Sequence, residues 1–134
     1  MAKTEIRVRY EETDQMGVVY YANYLTWFEI GRTELLRDKG YSYSDLEKEG
    51  FLLPVVNVEC NYHQPARYDD LLTLETNIAK LKRSKIEFEY KVYRQDELLT
   101  TAKTVHPFVD QDLKPISLKK EVPKVWKLLK KERK

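Results

Sequence analysis

The stretch Tyr10-Glu11-Glu12-Thr13-Asp14-Gln15-Met16-Gly17-Val18-Val19-Tyr20-Tyr21-Ala22-Asn23-Tyr24 decides how the chain is read, because a strand hands over to a helix within it. Upstream, Ile6, Val8 and Tyr10 share one face of an opening strand over 4–10. Downstream, over about 23–39, Tyr24, Leu25, Phe28, Leu35 and Leu36 recur near helical spacing, with Asn23 as N-cap and Gly40 as C-terminal stop. Asp14 and Gly17 fall in the connection. Asp, Gly and Asn between a strand and a helix are ordinary turn and cap residues. The same place also suits chemistry. N–H groups at a helix start have no partner inside the helix, and with the positive end of the dipole they favour negative charge. A carbonyl lodged there would be polarised while the Asp14 carboxylate faces its carbon, the geometry that acyl transfer needs.

Further along, three segments alternate with the strand period: Val56, Val58, Cys60 and Tyr62; Leu72, Leu74, Thr76 and Ile78; Ile86, Phe88, Tyr90 and Val92. The residues between them are mostly polar, which marks an antiparallel sheet covered on one side. Residues 98–109 form a further strand of less regular pattern. Arg83-Ser84 and Gln95-Asp96-Glu97 are hairpin turns, and Pro65 sets a longer connection over 64–70. Ser44-Asp45-Leu46-Glu47 reads as a capping box opening a short helix that ends by Gly50, and a basic helix closes the chain over about 122–134. The fold class expected is α+β: one antiparallel sheet of about five strands wrapped around one long central helix, in a single domain over 1–134. One helix covers few strands of such a sheet. A second subunit is therefore expected, giving a dimer or a dimer of dimers (a homotetramer).

Composition narrows the function classes. Of the 134 residues, 42% are hydrophobic and 34% charged, as in a soluble globular protein. No apolar run reaches the roughly 18 residues of a membrane helix, and the N-terminus turns polar at once. The single cysteine, Cys60, leaves no intrachain disulfide, and its place beside Val56 and Val58 reads as a buried, inert thiol. A cytoplasmic protein without integral membrane association is the expectation. The net charge of +2 gives no reason to expect nucleic acid. Residues 114–134 carry nine Lys/Arg against two Glu, and read as a solvated helix end. His63 and His106 lack acids at ligand spacing, so neither is given a metal or base role.

Three blocks carry a resemblance. Thr13-Asp14-x-x-Gly17-x-Val19-Tyr20-Tyr21-x-Asn23-Tyr24, followed by Glu29 and Arg32, is the first. Tyr62-x-x-Pro65-Ala66-Arg67-Tyr68-Asp69-Asp70-Leu71-Leu72 is the second, and Leu81-x-Arg83-Ser84 leading into Ile86-x-Phe88 the third. In order and over nearly the whole chain, they resemble the hot-dog thioesterases of the 4-hydroxybenzoyl-CoA thioesterase family, nearest to its Tol–Pal-associated acyl-CoA thioesterase branch. That branch commonly has His where this chain has Tyr21, which the 4-hydroxybenzoyl type shares, so no imidazole acts there. The resemblance implies a hot-dog fold and hydrolysis of an acyl-CoA to a free acid and CoA. It implies Asp14 as the catalytic carboxylate, the Tyr21 N–H as oxyanion donor, and active sites between two subunits. It also implies CoA phosphates held by Lys82, Arg83 and Lys85, with Ser84 in the same turn. Gly17, Val19 and Tyr24 join them as substrate-binding residues. No metal or redox cofactor is implied, CoA being part of the substrate.

The chemistry stands beside the resemblance. An exposed aspartate is ionised at neutral pH, so it can attack a thioester carbon directly and form an anhydride, or orient and deprotonate water. Both routes stay open at this level. So do a hydratase or dehydratase of acyl thioesters, whose chemistry normally needs a His where Tyr21 stands, and an acyl-CoA-binding protein without turnover. Tyr20, Tyr24, Trp27 and Phe28 could line an acyl pocket, but core packing is the stronger default, and Glu29 could orient water, though an exposed or ion-paired Glu is the commoner case.

Overall fold

The alternating segments do form one sheet, and a single long helix lies on it. The structure, a computed structural model, describes residues 1–131. In chain order the elements are β1 (Ala2–Arg7), a 3-10 turn (Tyr10–Glu12), α1 (Asn23–Asp38), α2 (Tyr43–Lys48), β2 (Asn57–Tyr62), β3 (Leu71–Lys82), β4 (Lys85–Arg94), β5 (Glu97–Pro107), α3 (Leu118–Glu121) and α4 (Pro123–Lys131). The five strands pair antiparallel in the order β1-β3-β4-β5-β2, which leaves β1 and β2 as edges. This is the α+β hot-dog arrangement the sequence led us to expect. The two-residue turns Arg83-Ser84 and Gln95-Asp96 close the hairpins, Gln95 taking φ 54°. The C-terminal helix runs to Lys131, and the rest of the expected stretch lies outside the described residues.

The core sits between α1 and one face of the sheet. Trp27, Phe28, Leu35 and Leu36 of α1 are buried against Leu72 and Leu74 of β3 and Ile86, Phe88, Tyr90 and Val92 of β4. Each such side chain contributes about 1.5–3 kcal/mol by leaving water. Phe28 stacks on Tyr90 with ring centroids 4.5 Å apart. The helix lies so close to β3 that a Cβ on Gly31 would stand 2.3 Å from Thr76 Oγ1 and 2.8 Å from Leu74 Cδ2. Only glycine permits that approach.

The helix face differs from the apolar stripe expected. Leu25 is 45% exposed, while Gly31 and Arg32 face inward. Arg32 belongs to a chain of polar groups that also explains the irregular pattern over 98–109. Its guanidinium donates to the Tyr43 hydroxyl at 3.2 Å and reaches the Tyr90 hydroxyl at 3.5 Å. Tyr90 meets Thr104 at 2.7 Å, Thr104 meets His106 Nε2 at 2.7 Å, and His106 Nδ1 meets the Leu53 carbonyl at 3.2 Å. Arginine can only donate and the Leu53 carbonyl can only accept, so with a neutral imidazole Tyr90 donates to Thr104 and Thr104 donates to Nε2. His106 therefore carries its hydrogen on Nδ1 and gives it to Leu53. Burial holds its pKa down at about 4.

Several local expectations are corrected. β1 stops at Arg7, and the 3-10 turn swings Tyr10 out to solvent. Asn23 is the first helical residue and not the cap; its amide donates to the Glu12 carbonyl at 2.8 Å. The capping box lies two residues earlier than expected. Ser42 is in extended conformation and exchanges hydrogen bonds with Asp45, while Ser44 is already helical. Gly40, at φ 96°, ends α1 as expected. β2, an edge strand, does not bury the face expected of it: Val58 is 41% exposed, Val56 just ahead of the strand 63%, and Cys60 is half-buried, its thiol pKa raised by burial.

Candidate active site

Asp14 opens a tight turn. Its carbonyl accepts from Gly17 N at 2.9 Å and its own N–H donates to Val18 O at 3.0 Å, so the chain doubles back and Thr13 pairs with Val19. Gly17 takes φ 79° with nothing near its missing Cβ. Its positive φ serves the turn. The Asp14 Oδ1 accepts from Met16 N at 2.9 Å, which fixes the carboxylate plane and leaves Oδ2 without a described partner.

The helix start supplies the donors. Asn23 N, Tyr24 N and Leu25 N reach back to the carbonyls of Tyr20, Tyr21 and Ala22, so the helix begins with a tightened 3-10 turn. Tyr21 and Ala22, the first two residues of that turn, direct their N–H groups to no described acceptor. Asp14, Val19, Tyr21 and Tyr24 line one cavity of about 410 Å³ with Tyr20, Tyr62, His63 and Pro65. Among the described residues, Asp14 is the only carboxylate on its wall. Hydrogen bonding to Tyr21 raises the Tyr20 pKa, and burial raises those of Tyr24 and Tyr62, so these three phenols stay neutral in the physiological range. The cavity therefore brings the Asp14 carboxylate and Tyr21, whose N–H has no described acceptor, onto one wall lined largely by rings.

Sequence reading missed the far wall. Tyr62 reaches across to the Tyr21 carbonyl at 3.2 Å and packs on Tyr24 at 5.0 Å between centroids. His63 and Gln64 are brought there because both N–H groups donate to the Leu99 carbonyl, and the His63 ring contacts Thr101 Oγ1 at 3.1 Å. The only sequence signal was their place in the second block, between Tyr62 and Pro65. Gly17 lines a separate cleft on the other side of Asp14, with Tyr10, Glu11 and Tyr68. Lys82, Arg83, Ser84 and Lys85 are not brought to the cavity. They sit exposed at the opposite end of β3, about 36 Å along the strand from Leu71. Within one subunit they do not meet the Asp14 site.

Residues 16–101 match the model of the thioesterase superfamily. This chain belongs to the thioesterase superfamily. It is 44% identical to YneP of Bacillus subtilis over 92% of this chain and 91% of that protein. With the acyl-CoA thioesterase YbgC of Haemophilus influenzae it shares 39% identity over 93% of each. A solved structure named as a DHNA-CoA thioesterase from Staphylococcus aureus superposes with a TM-score of 0.92 at 36% identity, covering 97% of this chain and 89% of that one. The chain is accordingly a thioester hydrolase. No helix among the described residues is long and apolar enough to cross a membrane.

Proposed function

We propose that this thioesterase hydrolyses acyl-CoA at the cavity beneath the start of α1, with Asp14 as the reacting carboxylate and the Tyr21 N–H as oxyanion donor. The observation that carries this reading is that the Asp14 carboxylate, with one oxygen tethered and the other without a described partner, shares a cavity with Tyr21, the helix-start residue whose N–H has no described acceptor. Oδ2 attacks the thioester carbon or takes the proton of an attacking water, and CoA leaves as its thiolate and is protonated. In the first route water then opens the acyl–Asp14 anhydride and frees the acid. A backbone donor of this kind supplies roughly 2.7–4 kcal/mol of transition-state stabilisation. Val19, Tyr20 and Tyr62 suit a flat acyl group better than a long flexible chain.

The oligomer completes the site in this reading. β2 is an open edge that exposes Val58 and Tyr62, and its Tyr62 end borders the cavity. Antiparallel pairing of β2 with its copy across a two-fold axis reverses the partner, so the partner's β3–β4 turn arrives at the Asp14 end. Lys82, Arg83 and Lys85 then meet the nucleotide phosphates of CoA bound in the other subunit's cavity. Release of free thiol from a panel of acyl-CoAs tests the whole reading: Asp14→Asn should lose at least ~10²-fold in kcat with KM little changed. Wild-type turnover by that variant removes Asp14 from the mechanism.

A further inference from the structure

We infer that Glu12 is a positioning residue, setting where the Asp14 carboxylate stands relative to the start of α1. The inference rests on the reading of Asp14 just given. Glu12 ends the 3-10 turn and is 6% exposed, and an acid so deep is costly unless its oxygens are occupied. Both are. Oε1 accepts from Arg9 N at 2.8 Å, and Oε2 accepts from the Trp27 indole Nε1 at 2.9 Å. The carbonyl of the same residue accepts from Tyr20 N at 2.9 Å and from Asn23 Nδ2 at 2.8 Å. One residue is thus tied to the chain following β1, to the approach to α1, to the first residue of α1 and to its next turn.

Asp14 has no slack to move independently. Glu12 N donates to Arg9 O, Thr13 N to Tyr10 O and Asp14 N to Val18 O, so each backbone N–H from Glu12 to Asp14 is engaged. A shift of Glu12 against Trp27 is passed on to Asp14, whereas the helix-start donors move with α1. Glu12 does not line the cavity, so it bears on the reaction only through the groups it holds in place, of which Asp14 carries the chemistry. Misplacement by about 1 Å costs up to ~10²-fold in rate.

Glu12→Gln leaves one acceptor where two N–H groups converge, and Trp27→Phe removes the indole donor while keeping the ring packed. Each should lower kcat roughly 10-fold with KM within about twofold. Both substitutions are to be made in the wild type and in Asp14→Asn. They are assayed for thiol release from the acyl-CoA that the wild type turns over fastest, well below each variant's Tm. Action through Asp14 predicts a loss in the wild-type background and no further loss in Asp14→Asn, whereas a merely structural role lowers both alike. Trp27→Phe carries the test alone if Glu12→Gln fails to fold. Unchanged kcat in a folded variant, or equal losses in both backgrounds, overturns the inference. Wild-type turnover by Asp14→Asn alone instead overturns the reading of the site, so the two failures are distinguishable.

Discussion

Acid should weaken this fold through one imidazole. His106 is fully buried, accepts from Thr104 on Nε2 and donates from Nδ1 to Leu53, so the folded protein needs it neutral. Its pKa is about 4 in the fold against 6.5 for the free group, with burial the main cause and the nearby Arg32 charge adding to it. Between those two values the unfolded chain binds a proton that the folded chain refuses. Stability is therefore full above about pH 6.5 and is lost as the pH falls toward 4. Each pH unit in that window costs about 1.4 kcal/mol, so the whole window costs about 3 kcal/mol. Small domains have only some 5–15 kcal/mol in hand. The assay is urea unfolding at intervals from pH 7 to pH 4 for the wild type and for His106→Gln, whose amide can accept from Thr104 without titrating. Contributions from groups other than His106 are common to both proteins and cancel in the difference. The two curves should diverge by roughly one proton's slope between pH 6.5 and 4. Parallel curves would refute the reasoning.

Other outcomes follow from the same coordinates. Gly31→Ala should cost about 1–3 kcal/mol in unfolding free energy, because its Cβ meets Thr76 Oγ1 at 2.3 Å; Thr76→Ala should recover part of that loss, and additive losses would contradict it. Gly17→Ala should cost about 1 kcal/mol from its φ of 79° alone, with kcat also reduced because the turn holds Asp14. Neutralising Lys82, Arg83 and Lys85 together should raise KM and flatten its dependence on salt, and equal salt dependence in mutant and wild type would free those residues of any phosphate role. Val58→Lys on the open edge should shift the sedimentation profile toward monomer and lower specific activity at low protein concentration.

The strands were legible because alternation is a local property: Leu72–Leu74–Thr76 and Ile86–Phe88–Tyr90–Val92 keep their period in the chain as in the sheet. β2 shows what that period leaves open. It marks which side chains share a face and says nothing about whether anything covers the face, so Val56, Val58 and Cys60 passed for core. The α1 stripe failed at Gly31 and Arg32 for a related reason. A close helix crossing wants the smallest residue, and a buried guanidinium is tolerated only because Tyr43, Tyr90 and the groups beyond them satisfy it, which no hydrophobic count records. At the site, Asp14, Val19, Tyr21 and Tyr24 were visible as one continuous stretch. Tyr62 and His63 were not, since the Leu99 carbonyl that seats His63 lies 36 positions along the chain. The burial of Glu12 rests on the indole of Trp27, 15 positions along the chain, and no local pattern records it.

The length of β3 has a genetic consequence. If each cleft borrows its cations from across the seam, the two halves of a working site sit on different polypeptides. A subunit carrying Asp14→Asn still lends its intact turn to its neighbour, and a subunit stripped of Lys82, Arg83 and Lys85 still offers its carboxylate. Co-expressed, two inactive or crippled chains would then rescue one another, restoring one whole centre in every mixed pair.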